Sequence, residues 1–123
     1  MSHIVSTKDG VLNIRFQTSV GFKEILAAFD EASDSTENKW VWVFEQGGTA
    51  TGEELKGYTS YAVNKMADRE PRRVAIVAPE DFAFGMARML EAFSQIEGSK
   101  DERGVFRSEA DALQWMNQTG EEE

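Results

Sequence analysis

The chain has 123 residues, enough for one domain with its own core and no need of a staple. It has no cysteine and a single histidine, which excludes disulfides, thiolate chemistry and a metal centre built from His or Cys. A formal charge of −9 repels phosphate backbones and anionic bilayers, so neither nucleic acid nor a membrane surface is an expected partner.

Ile4 to Thr7 reads as a strand, and Lys8-Asp9-Gly10 as a hairpin turn, because Gly accepts positive φ at no steric cost. In Val11 to Gln17, Leu12, Ile14 and Phe16 alternate with polar residues, as in a strand with one buried face. The period then changes. Phe22, Ile25, Leu26 and Phe29 lie on one face of a helix, which the polar run Ser33 to Lys39 ends. Trp40 to Phe44 is continuously apolar, the pattern of a central strand covered on both faces, and it is far too short to span a bilayer.

A loop from Gln46 to Gly52 leads to a second helix with Leu55, Tyr58, Thr59, Ala62 and Met66 inward, broken by Pro71. Arg73 to Ala78 is another buried-type strand. Pro79-Glu80-Asp81 stops it, with Asp81 expected to cap the next helix. That helix takes its apolar stripe from Met86, Met89, Leu90 and Phe93. Gly98 to Gly104 reads as a charged loop and Val105-Phe106 as a short last strand. Ser108 with Asp111 resembles a capping box, opening a helix with Ala112, Leu113 and Met116 inward. Trp40, Trp42 and Trp115 are read as core, and His3 as an exposed hairpin residue. The order β-β-α-β-α-β-α-β-α means an α/β domain with a mostly parallel sheet, over residues 1–118, followed by an acidic tail, 119–123.

Along almost its whole length this order resembles the SpoIIAA-like proteins, which share the STAS fold. Two stretches carry the likeness: Arg73-Val74-Ala75-Ile76-Val77 with Phe84-Gly85-Met86-Ala87-Arg88-Met89, and Val105-Phe106-Arg107-Ser108 with Ala112-Leu113-Gln114-Trp115-Met116. The resemblance implies a mixed five-stranded sheet flanked by helices, and a non-enzymatic role through protein partners. It also implies a phosphoacceptor at the start of the helix after the third strand. The matching segment is Gly48-Thr49-Ala50-Thr51-Gly52, without the usual Asp-Ser pair, leaving Thr49 and Thr51 as candidates. The fold likeness of this group to CRAL-TRIO lipid carriers implies a small apolar ligand.

In open α/β sheets ligands sit outside the carboxyl ends of the parallel strands. The binding residues expected there are Gln46, Gly47, Gly48, Thr49 and Thr51 in the first loop, then Asp81, Phe82, Phe84 and Arg88. Gly47 and Gly52 have the spacing of a phosphate loop, but Glu53-Glu54 stand where Lys and Ser or Thr are needed and would repel a triphosphate. Glu53 and Glu54 suit the first turn of a helix instead. Glu45, Glu53, Glu80 and Asp81 have no spacing that fixes an acid–base pair, so no catalytic residue, cofactor or metal is assigned. Phe82, Phe84, Met86 and Met89 form a soft apolar cluster that suits either a core or an acyl pocket. Arg88 suits either a ligand anion or an ion pair with Glu91 or Glu80. Two functions follow as expectations. One is a cytoplasmic regulatory module acting through a protein partner or as a homodimer. The other is a carrier or sensor of a small apolar or amphipathic ligand at the carboxyl edge of the sheet.

Overall fold

Asp9 and Gly10 both have positive φ, 54° and 79°, the geometry that lets a two-residue turn follow the twist of its strands. In this computed structural model, which describes residues 3–118, the turn joins β1 (His3–Lys8) to β2 (Val11–Phe16) in antiparallel register. The chain continues as α1 (Phe22–Ala32), β3 (Lys39–Phe44), α2 (Gly52–Lys65), β4 (Arg73–Val77), α3 (Asp81–Ile96), β5 (Glu102–Phe106) and α4 (Glu109–Asn117). The five strands lie in sequence order, and β2 to β5 are parallel.

That order decides where the helices go. Each of the three crossovers steps one strand in the same direction, and right-handed crossovers then place α1, α2 and α3 on one face. The core agrees. Ile14, Phe16, Trp40, Trp42 and Ile76 point to that face and pack on Phe29, Leu55, Tyr58 and Ala87. The opposite face is covered by α4, where Val41, Val43, Ala75 and Val77 meet Ala112 and Met116. This is why β3 and β4 read as continuous apolar runs: both their faces are covered.

Several expectations need correction. His3 is buried: its Nδ1 lies 2.6 Å from Glu24 Oε2 and its Nε2 lies 2.9 Å from Glu31 Oε1. The helix before Pro71 already ends at Lys65, where the Met66 N–H bonds back to Ala62. The cap of α3 is Glu80, whose carboxylate accepts from Ala83 N–H, and Asp81 is the first helical residue. The buried positions of α3 are Ala83, Ala87 and Ser94, so the helix is rotated and Met89 faces outward, as does Leu113 on α4. The charged loop is shorter than expected, because Glu102, Arg103 and Gly104 already belong to β5. Trp115 is half-buried and packs on Phe106.

His3 fastens β1 to α1 with both ring nitrogens facing carboxylates, which only the doubly protonated ring can satisfy as donor twice. Hydrogen bonds to Glu24 and then Glu31 raise its pKa above the ordinary 6.5. A raised folded pKa means stability that is complete below 6.5 and is lost as pH rises through the folded value. The melting-temperature gap between wild type and His3→Gln is therefore expected to be largest near pH 5.5 and to shrink by about pH 9. Thermal melts at the two pH values measure it; a gap that grows with pH would contradict the clamp.

Candidate functional site

The residues expected at the carboxyl edge are brought to one rim, but most are occupied in holding the chain. Gly47, with φ +84°, turns the loop tightly: an added Cβ would sit 2.7 Å from Glu80 Oε1. Gly48 forms a parallel bridge with Val20, and a Cβ there would lie 2.9 Å from the Val20 carbonyl. The Thr49 N–H donates to that carbonyl at 2.8 Å. Thr51 is the N-cap of α2: its hydroxyl accepts from Glu54 N–H, and the Glu54 carboxylate accepts from Thr51 N–H. Gln46 is exposed. Asp81 accepts from Arg107 Nη1 at 2.6 Å, and the same guanidinium lies 4.2 Å from the Phe84 ring centre. Phe82 is exposed to 60%. Arg88 makes the ion pair with Glu91, at 3.3 Å. Glu45 is held by Arg15, which also binds Glu109 bidentately and thereby lowers the Glu109 pKa.

A partly open space lies deeper. Between the sheet and helices α2 and α3 is an apolar cavity of about 40 Å³. Its floor is Trp42, Val74 and Ile76, and its roof is Leu55, Tyr58, Met86, Ala87 and Leu90. It exists because α3 turns small residues, Ala83 and Ala87, toward the sheet. None of the nine residues expected to bind at the rim lines it. The nearest link is Gly48, whose added Cβ would lie 3.4 Å from the Met86 methyl.

At the amino ends of the strands the cavity wall becomes charged. Arg72, just before β4, and Arg103, in β5, both line it. Strand register puts Arg103 beside Val74, on the same face of the sheet. Asp101 anchors Arg72: one carboxylate oxygen accepts from the Arg72 N–H at 2.7 Å and the other from its Nε at 2.9 Å. The Arg72 guanidinium stacks 4.4 Å from the Trp40 ring centre. The side chains of Arg72, Asp101 and Arg103 are only 5%, 8% and 10% exposed. Arg103 is less well served. Asp101 Oδ2 is 3.7 Å from its Nη1, beyond hydrogen-bond range, and that Nη1 has no hydrogen-bond partner among the described residues. Burial, and then the Arg72 charge, lower the Arg103 pKa. Burial also pushes the Tyr58 hydroxyl up to about 12, so this wall keeps a neutral phenol.

Arg72, Asp101 and Arg103 were not among the residues singled out from the sequence. The available signal was period two: Arg103 stands two residues before Val105, so in a strand the two share a face. A second concavity, of about 130 Å³, lies between the end of α2 and residues 98–101. Among the described residues no cluster of His, Asp and Glu could hold a metal ion, and no helix is long and apolar enough to cross a membrane. Comparison of the chain with protein-family models, with curated proteins and with solved structures finds no match.

Proposed function

We propose that this chain is a non-enzymatic binding module of the SpoIIAA-like type that carries or senses a small apolar or amphipathic molecule beneath α2 and α3. The observation that carries the reading is the apolar cavity between helix and sheet, the kind of concave site in which small ligands bury most of their surface. Its ready volume is small, so a ligand would draw on Met86, whose unbranched thioether chain adapts to irregular shapes. Titration of the full chain with 1-hexanol, followed on the Met86 methyl resonance, is the test. A saturable shift is expected in wild type, and Ala87→Met, which fills the cavity from α3, should abolish it while the chain stays folded. A shift that never saturates, or one unchanged in Ala87→Met, would remove the cavity from consideration.

A second reading, self-association, is favoured by one specific feature. Phe82, Gly85, Met89, Ala92 and Ile96 are all exposed and recur at i, i+3, i+7, i+10 and i+14 along α3, the spacing of a coiled-coil seam. Ile96 is 79% exposed. Its small members, Gly85 and Ala92, would let a second α3 approach closely. Sedimentation at rising protein concentration tests it.

A further inference from the structure

The buried charges beside the cavity do not balance. Arg72 and Arg103 bring two guanidiniums, and Asp101 brings one carboxylate. Arg72 takes both oxygens of Asp101 in hydrogen bonds and stacks on Trp40. Arg103 is left with an ion-pair contact at 3.7 Å and an Nη1 without a hydrogen bond, at a side chain nine-tenths buried. Glu91, a quarter exposed on α3, also attracts Arg103, but its hydrogen-bond-range partner is Arg88, at 3.3 Å, and it gives Arg103 Nη1 no hydrogen bond. A buried, unsatisfied charged donor is costly unless something accepts from it. What the site lacks is one negative charge and at least one acceptor oxygen, at the charged end of a space whose other walls are Trp42, Ile76, Met86 and Leu90.

We infer that the cavity takes a small amphipathic monocarboxylate, its carboxylate on Arg103 Nη1 and its apolar chain running toward Met86. This rests on the reading of the cavity as a ligand site and adds the class of the ligand. A single negative charge matches the excess of one guanidinium. A phosphate monoester fits less well, because it brings close to two charges and three acceptor oxygens to a place with one open donor and the Asp101 carboxylate nearby. A neutral alcohol of the same length would fill the apolar part equally and leave the charge uncompensated.

The experiment compares hexanoate with 1-hexanol on the full chain at pH 7.5, where hexanoate is ionised, again read on the Met86 methyl. Wild type is expected to bind hexanoate at least about tenfold more tightly than 1-hexanol, since charge-assisted hydrogen bonds in a desolvated site are the strong ones. Arg103→Met should erase that preference and still bind 1-hexanol. Arg103→Lys, which keeps the charge and loses the planar fork, should retain part of the preference and serves if Arg103→Met does not fold. Equal affinity for the two probes in wild type would overturn the inference and leave the cavity reading standing. A preference that survives in Arg103→Met would also overturn it. Binding of neither probe would end both.

Discussion

Asp101→Asn is expected to destabilise the chain by about 3–5 kcal/mol, the cost of breaking a buried ion pair and leaving charge uncompensated. The substitution keeps the volume and one acceptor oxygen, so the loss reports charge. In the native chain Asp101 neutralises the guanidinium of Arg72, 5% exposed, accepts from its Nε and its backbone N–H, and lies 3.7 Å from Arg103 Nη1. Without its charge, two guanidiniums face each other in a site that excludes water. The melting temperature should fall on the order of 10–20 °C. Arg103→Met makes the informative contrast. It removes a donor that has no hydrogen bond at Nη1, together with its repulsion of Arg72, and places an apolar chain against Val74 and Leu90. Its own cost should stay within about 1 kcal/mol, and it should recover part of the loss in the Asp101→Asn background. Denaturant unfolding of the four proteins closes the cycle. A cost for Asp101→Asn below about 1 kcal/mol would show a solvated surface pair, and the charge argument for the cavity would fall with it.

The parts of the fold that were legible are those fixed by neighbours in sequence. Asp9-Gly10 needs only its own backbone to make a turn, and the apolar runs Trp40–Phe44 and Val74–Val77 declare two covered faces by themselves. What was missed depends on partners far along the chain. His3 is buried by acids 21 and 28 residues away, and Arg72 by an aspartate 29 residues away. From sequence these side chains look like solvated charges, and only tertiary pairing makes their burial tolerable. The rotation of α3 failed for a different reason. Phe82, Met86, Met89, Leu90, Phe93 and Ile96 form one stripe about 120° wide, of which only the Met86, Leu90 and Phe93 side packs on the core; the small residues Ala83, Ala87 and Ser94 are the ones turned fully inward. The site shifted for both reasons together. Small residues under α3 open the cavity, and paired charges close its end, while Thr51 spends its polar groups on capping α2, Gly48 and Thr49 bridge to Val20, and Asp81 pairs with Arg107.

Trp40 is where core and charge cluster meet, and Trp40→Ala should cost at least about 3–5 kcal/mol. The residue is fully buried, with its ring 6.1 Å from Phe29 and 6.5 Å from Trp42, centre to centre. Its Nε1 donates to the Glu37 carbonyl at 2.9 Å, which ties the α1–β3 loop to the strand. Removing the ring therefore opens a cavity, orphans a carbonyl and strips Arg72 of the aromatic face it lies on. Trp40→Phe separates these effects. A phenyl ring keeps a face for Arg72 and most of the packing, and loses the indole hydrogen bond and some volume, for a cost of about 1–2 kcal/mol. Chemical denaturation should give lower midpoints in that order with an unchanged dependence on denaturant. Equal losses in the two variants would mean that the ring face contributes nothing to holding Arg72. A large gap would mean that the guanidinium is fixed from both sides, by Asp101 in its plane and Trp40 beneath it. Asp101 would then be committed to Arg72 and unable to turn to Arg103, which is the condition under which Arg103 stays open to a ligand.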